Sequence, residues 1–428
     1  MLDIKFIREN LESVKEAAKN KNRQVDLDKL LVLDQKRRKW IGEIEKLRGE
    51  RNTLQSTNNP ITQSSNNPIN DKLINETREK GKHLKEEVKK LEEELKIIEK
   101  EYNDLMLRVP NVPDKSVPVG TDASGNKEVK KWGDVPKFDF KPLDHMELAR
   151  KLDLVDFERG VKIGGFRSYF LKNEAALLEM AVLNYTMLKL VKKGYTPLIA
   201  PSLVKEFTLV GNGQLPWGRE EVYHLEKDDV YLAGTAEVPV TAYFSGEVLN
   251  EKDLPKKFVA FSPCFRREAG SYGKDTKGLY RLHQFNKIEQ VIINSNDYEG
   301  SLKLHEELLA NSEEVLQDLK LPYRVLLMCT GDMGEPQVKK YDIETWMPSR
   351  EAYGETMSNS FMGDFQARRL NIRYRSSDGV IKFAHTLNNT AVASPRILIA
   401  ILENYQQKDG SVVVPEVLRE FVGKEVIK

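Results

Sequence analysis

The chain has 428 residues, 40% of them hydrophobic, and a formal net charge of +1, which gives apolar content for a sizeable core and length for more than one domain. So small a charge excludes a global basic field, and any nucleic acid must be gripped by a local patch. Two cysteines, Cys264 and Cys329, and six histidines build neither a disulfide framework nor a Cys/His zinc spacing, pointing to a reducing setting without zinc.

The first residues, MLDIKFIRENLESVKEAAKNK, lack the unbroken apolar stretch of a signal peptide, and no run of about 18 apolar residues occurs. A cytoplasmic chain with no membrane partner is expected. From Val25 to Leu107 charged helix formers dominate. Leu84, Val88, Leu91, Leu95, Ile98, Tyr102 and Leu105 alternate by four and three, an a/d seam, and Trp40, Ile44, Leu47 and Leu54 repeat the spacing with Arg51 interrupting. Ser56 to Asn70 reads as a polar turn between them, so the economical structure is an antiparallel helical hairpin roughly 45 to 55 Å long, projecting from the body. Such a coil can also serve dimerisation or spacing. Lys36, Arg37, Arg38, Lys39, Lys46, Arg48 and Arg51 on one arm, with Lys82, Lys85, Lys89 and Lys90 on the other, offer phosphate contacts that glutamates partly cancel. An arm without base-reading loops suits recognition of an RNA's shape.

Pro110, Pro113, Pro118, Pro136 and Pro142 with scattered glycines give 108–145 linker and loop chemistry, dividing the chain into 1–108 and 109–428. Beyond it, Asn173 reads as the N-cap of a helix with an apolar stripe of Leu177, Met180, Ala181, Leu188 and Val191, ended by Gly194 at C′; Tyr195 to Pro201 follows as a strand. In GTAEVPV, Thr235 and Glu237 either share one face of an extended segment and meet an ammonium group, or Thr235 caps a helix.

The block Phe261 to Glu289, FSPCFRREAGSYGKDTKGLYRLHQFNKIE, reads as strand, polar loop and strand. Phe285 and Glu289 fall on one strand face beside Arg266 and Glu268. An Arg fork grips phosphate or carboxylate, an aromatic face stacks on a base, and a carboxylate accepts hydrogen bonds from an amine. The alternative is a surface hairpin laced with salt bridges. Further on stand Glu355 and Ser358 in YGETMSNSF, then HTLNNTAVASPRILIAILENYQQ. There Ser394 can N-cap, Pro395 suits the first helical position, and Arg396 lies in an opening turn whose free N–H groups attract anions.

The strand ending in Arg-x-Glu, the loop and the returning strand with Phe285 resemble the second signature motif of class II aminoacyl-tRNA synthetases. The glycine- and basic-rich loop from Ala269 to Gly278, followed by HQF, is closer still to the seryl-tRNA synthetases. The resemblance spans nearly the whole chain. It implies an α+β fold, a class II antiparallel sheet flanked by helices, preceded by a coiled-coil hairpin in 1–108 that embraces the long variable arm of tRNA. It implies that L-serine is activated with ATP to seryl-adenylate and passed to the terminal ribose of tRNA(Ser), with tRNA(Sec) as a further substrate. A homodimer is implied, formed through the helix and strand ending at Pro201.

On the same resemblance, serine meets Thr235, Glu237, Arg266, Glu289, Asn388 and Thr390. ATP meets Arg266, Arg267, Glu268, Arg281, Phe285, Glu355, Thr356, Met357, Ser358 and Arg396, with Mg2+ on Glu355 and Ser358; Arg266, Glu355 and Arg396 are the catalytic set. A zinc ion is not required. There are two departures: Met357 stands where the family often has a polar residue, and Asn389, Thr390 and Ala391 replace the glycines that approach the third-motif arginine. They feed the rival reading of a catalytically silent paralogue acting as a binding or structural protein. A ligase that loads a carrier protein is a further rival, one expected to lack the basic arm.

Overall fold

The structure is a computed structural model that describes the backbone of residues 1–61, 68–271 and 278–428 and the side chains of 1–54, 75–270 and 278–428. The chain forms two compact units. One comprises Asp3–Lys15 and Gln24–Val109; the other comprises Met1–Leu2, Glu16–Arg23 and Pro110–Lys428.

In the smaller unit, helices α1 (Leu27–Ile61) and α2 (Pro68–Arg108) pair along the apolar seam. Ile44 packs into it from α1, and Leu84, Val88, Ile98 and Tyr102 from α2, all of them buried. The pairing is antiparallel, because the ion pairs Lys29–Glu101, Arg37–Glu99 and Arg48–Glu92 take partners of falling number as the first rises. At about 1.5 Å per residue the helices run roughly 52 and 61 Å. The turn expected over Ser56 to Asn70 is narrower than that: α1 continues to Ile61 and α2 starts at Pro68, where a proline costs nothing because first-turn N–H groups lack intrahelical acceptors. Residues 62–67 lie outside the described residues.

The larger unit is built on an eight-stranded sheet: β1 (Lys127–Trp132), β2 (Thr196–Ile199), β3 (Lys256–Phe265), β4 (Gln284–Asn294), β5 (Tyr323–Leu327), β6 (Lys339–Met347), β7 (Ala352–Gly363) and β8 (His385–Ala393). In space the order is β1-β5-β6-β7-β8-β4-β3-β2. Every neighbouring pair is antiparallel except β2 with β3, which is parallel. The expectation of pure linker over 108–145 is corrected by β1. Its KEVKKW sequence reads as solvated loop, yet an edge strand tolerates charge, and Trp132 stacks on Tyr323 at 5.7 Å.

Alternation along the strands sorts the two faces of the sheet. Helices α3 (Asn173–Lys192), α4 (Tyr298–Asp318) and α5 (Arg396–Asn404) form one layer. Leu178 and Val182, Leu308 and Leu316, Ile397 and Ile401 pack from them onto Val259, Ile292, Ile343, Phe361 and Leu387. The opposite face carries alternate polar residues of β4, β6, β7 and β8 and supports only short helices, among them Glu206–Asn212, Glu237–Thr241 and Phe365–Leu370. Among the described residues no helix is long and apolar enough to cross a membrane.

Two helix caps expected from the sequence are corrected, and the apolar stripe of α3 gains a direction. The stripe is mostly outward: Leu177 and Met180 are 47% and 64% exposed, while Leu178, Val182 and Leu190 beside them face the core. A helix apolar on both faces gives periodicity no way to tell inside from outside. Asn173 does not cap that helix; it sits at φ +48° inside the first turn, and its amide donates to the Asp153 carbonyl at 2.9 Å. Nor does Ser394 cap α5. Its N–H donates to the Asn286 carbonyl at 2.9 Å, continuing the sheet, and α5 opens at Arg396 with Pro395 just outside it.

His305 on α4 is fully buried, its ring stacked on Tyr341 at 5.2 Å and beside Phe361. Burial lowers its pKa from 6.5 to about 3. The folded state therefore keeps the ring neutral where the unfolded chain takes up a proton, so this contribution is intact above pH 6.5 and is lost as pH falls from there through about 3. His305→Phe is expected to flatten the acid limb of a plot of urea midpoint against pH; an unaltered slope would refute the assignment.

Candidate active site

The site lies on the polar face of the sheet and at the ends of β3 and β4. Arg266 follows the last residue of β3, and the ladder continues past the strand ends, with the Arg266 N–H donating to the His283 carbonyl at 3.0 Å. The Arg266 guanidinium lies 5.3 Å from the centre of the Phe285 ring, and its Nε donates to the Gly234 carbonyl at 3.2 Å. Two residues on, Glu268 takes φ +54°, in the left-handed region that non-glycine residues seldom occupy, and Arg281 donates to its carboxylate at 3.0 Å. Alternation sends Arg267 elsewhere: it is exposed, lies close enough to Tyr223 to affect its phenol, and does not line the cavities described below.

On β4, Phe285, Lys287 and Glu289 share the cavity face. Lys287 and Glu289 form a buried ion pair at 2.5 Å, and Lys287 also donates to the Thr235 hydroxyl at 2.7 Å. That hydroxyl accepts the Glu237 N–H as well, at 3.1 Å, so the capping and cavity-facing readings of Thr235 coexist. Glu237 opens a short helix and is not on an extended segment as expected; its carboxylate accepts from Asn388 and Gln366, both at 2.8 Å. Thr390 donates to Glu289 at 3.3 Å. Burial, and after it the neighbouring Glu289 carboxylate, raises the Glu237 pKa. Two carboxylates share this cluster with a single ammonium, which leaves room for a second cation.

Glu355 and Ser358 would point to opposite faces of a regular strand, being three residues apart. A bulge prevents that. Glu344 of β6 pairs with Glu355 and Ile343 with Met357, so Thr356 is an extra residue and the side chains on either side of it change parity. Glu355 and Ser358 then share a face with Lys340 and Asp342. Burial pushes the Glu355 pKa up, but Arg396, Lys340 and Arg266 outweigh it and hold the carboxyl below its usual range. Burial raises Asp342 to about 6; Lys340, 2.9 Å away, opposes the rise and Glu355 adds to it. Met357 pairs with Ile343 and is buried, so the residue standing in a polar place is held by the core. Thr356 bonds to the Thr345 hydroxyl at 2.7 Å.

Arg396 joins these parts. Its Nε donates to the Tyr280 carbonyl at 3.0 Å and its Nη1 to the Glu355 carbonyl at 3.1 Å, with the Glu355 carboxylate 3.3 Å away. Arg266, Glu268, Arg281, Phe285, Glu355, Thr356, Met357, Ser358, Thr390 and Arg396 line one cavity of about 250 Å³. A second cavity of about 640 Å³ shares Arg266, Glu268 and Arg281 with it and reaches Glu237. Cationic groups thus concentrate in one part and carboxylates in the other, a division suited to a phosphate-bearing ligand beside an ammonium-bearing one.

Sequence reasoning missed Lys287, Gln366, Lys340 and Asp342. Lys287 lay in view between Phe285 and Glu289, at even spacing from both, and strand parity alone could have found it. Lys287→Met is expected to cost about 3–5 kcal/mol, because Glu289 is left buried without its cation. Urea unfolding measures this, and a loss under about 1 kcal/mol would contradict the pairing.

Comparison with known proteins follows the same outline. A family model described as Seryl-tRNA synthetase N-terminal domain matches residues 1–113, and one described as tRNA synthetase class II core domain (G, H, P, S and T) matches 221–405. A serine–tRNA ligase of Deinococcus radiodurans is 48% identical over 428 residues, covering 100% of this chain and 99% of that protein. The crystal structure of seryl-tRNA synthetase from Pyrococcus horikoshii complexed with ATP superposes with a TM-score of 0.90 at 38% identity, over 100% of this chain and 99% of that one. The cytoplasmic serine–tRNA ligase of Naegleria fowleri in complex with AMP gives 0.85 at 34% identity, with 100% and 99% covered.

Proposed function

The chain belongs to the seryl-tRNA synthetases and is a class II serine–tRNA ligase, and from that premise we propose how its own residues carry the reaction. The observation that supports the assignment most is the convergence of Arg266, Phe285, Glu355 and Arg396 on one cavity adjoining the buried Thr235–Lys287–Glu289 cluster. Four groups from separate stretches of chain meeting there favour a working site over a silent relative.

ATP enters the first cavity, its adenine against Phe285 between Glu268 and Arg396, with Arg281 facing the outer phosphate. The ammonium of L-serine meets Glu237 and Thr235. Its hydroxyl meets Glu289 and Thr390, whose hydrogen-bonding capacity beyond Lys287 and each other alanine would leave unused, and Asn388 holds Glu237 in place. The carboxylate of serine attacks the α-phosphorus, the bond to the bridging oxygen breaks, and pyrophosphate leaves. The terminal ribose hydroxyl of tRNA then attacks the adenylate's carbonyl carbon and AMP departs. No protein nucleophile is needed; Arg266 and Arg396 orient the phosphate and stabilise charge as it develops.

Glu355 and Ser358 fit Mg2+: they are oxygen donors on one face, the Glu355 carboxyl is held below its usual range by neighbouring cations, and its side chain is 43% exposed. When bound, the ion would neutralise phosphate charge there.

The hairpin of α1 and α2 is assigned the tRNA. Lys36, Lys46, Lys85 and Lys90 have no ion pair among the described residues and can meet phosphates, whereas Arg37 and Arg48 are engaged by Glu99 and Glu92. tRNA(Ser) is the substrate on this reading, with tRNA(Sec) alongside it, and the location is cytoplasmic. A second copy covers the outward face of α3 and β2, where Leu177, Met180, Ile199 and Phe421 line an apolar groove of about 360 Å³.

Arg266→Ala is expected to lower serine-dependent ATP–pyrophosphate exchange by about 10²-fold or more, with tRNA affinity within about twofold of wild type because the arm is untouched. Unchanged exchange would remove Arg266 from the mechanism.

A further inference from the structure

Behind the ATP cavity lies a closed circuit of contacts that the reaction scheme does not use. Glu403 is on α5, seven residues and so two helical turns beyond Arg396. It is fully buried, and its carboxylate collects the N–H of His145 (3.0 Å), the Nδ1 of the same ring (3.0 Å), and the N–H and hydroxyl of Ser349 (both 2.9 Å). The backbone N–H of Leu279 can only donate, so His145 carries its proton on Nδ1, toward Glu403, and presents Nε2 as an acceptor. That nitrogen accepts the N–H of Leu279 at 3.3 Å. The backbone there presses directly on the ring: a Cβ built on Gly278, itself at φ +79°, would lie 2.3 Å from Nε2. Tyr280 comes next. Its carbonyl accepts Arg396 Nε, and the Arg396 and Arg350 guanidinium carbons lie 4.4 and 4.3 Å from its ring centre. Ser349 delivers Arg350, and Arg396 returns the circuit to α5.

We infer that His145, oriented by Glu403, is a positioning residue for the nucleotide half of the site: it pins Leu279 and thereby sets Tyr280 and the Arg396 guanidinium where ATP is received. His145 itself is buried and lines neither cavity, so it acts only through the segment it holds. On the serine side, Lys287 bonds to Thr235 and Glu289, and Thr390 to Glu289, contacts that lie within that cluster and not with His145, Leu279 or Glu403. A defect here is therefore expected on ATP and not on serine. The inference rests on the ligase reading for the identity of the ligand.

Two amide variants separate pinning from packing. Asn at position 145 reaches Glu403 from the place of Nδ1 but falls short of Leu279; Gln carries its amide to the place of Nε2 and can accept from Leu279. ATP affinity is measured by calorimetry without serine, so that absence of serine-dependent exchange in the wild type would count against the ligase reading alone. His145→Asn is expected to weaken ATP binding about tenfold, the loss of one buried hydrogen bond, and His145→Gln by less than about threefold. In exchange assays KM for serine stays within about twofold in both. Equal ATP defects in Asn and Gln, no defect in either, or a parallel rise in KM for serine would overturn the inference. Thermal midpoints and an ATP titration of His145→Gln alone serve if the Asn variant does not fold: a tenfold loss there also overturns it.

Discussion

Strand parity is the constraint on which the rest of this molecule depends. A sheet buried by helices on one face can afford charge only on the other, and every functional carboxylate and lysine of β4, β6, β7 and β8 must fall on the same side of its strand. Regular alternation does this for Phe285, Lys287 and Glu289. It fails for Glu355 and Ser358, whose odd spacing would bury one of them among the helices, and the extra residue Thr356 repairs it. A second irregularity sits beside Glu289, which pairs with Thr390 while Ile288 pairs with Val392, so Ala391 is the extra residue. Bulges at the two places where the cavity changes composition are features of the site, not flaws in the sheet.

With parity settled, electrostatics divides the cavity. Arg266, Arg281 and Arg396 gather at one end. Glu237, Glu289 and the single Lys287 occupy the other, where each charge is paired or hydrogen-bonded as burial demands. Desolvation pushes the Glu355 carboxyl up, but Arg396, Lys340 and Arg266 outweigh it and hold the group below its usual range. An anionic nucleotide and a zwitterionic amino acid can thus lie side by side, with the reacting oxygen and phosphorus between them.

Much of this was legible in the chain. Arg266, Glu268 and Phe285 stood out because a strand, a glycine-rich loop and a strand leave charge at the ends of apolar runs, and the seam of α2 was plain because the four-and-three alternation is long. What escaped did so for physical reasons. Lys287 reads as solvated until a partner strand buries it, and Gln366 is meaningful only beside Glu237, more than a hundred residues away. β1 looks like linker because an edge strand needs no apolar face. Periodicity alone did not say which side of α3 faces the core, because both are apolar, as an interface between copies would make them. The His145–Glu403 circuit joins residues separated by 258 positions, beyond the reach of any local pattern.

The central claim is that a buried hydroxyl-reading cluster adjoins the nucleotide cavity. ATP–pyrophosphate exchange by the wild-type protein, driven in turn by serine, alanine and threonine, tests it most directly. The account predicts exchange with serine, a kcat/KM for alanine lower by about 10³-fold or more because alanine offers Glu289 and Thr390 no hydroxyl, and rejection of threonine by its methyl group. Exchange that needs no amino acid, or that alanine supports within about tenfold of serine, would contradict it.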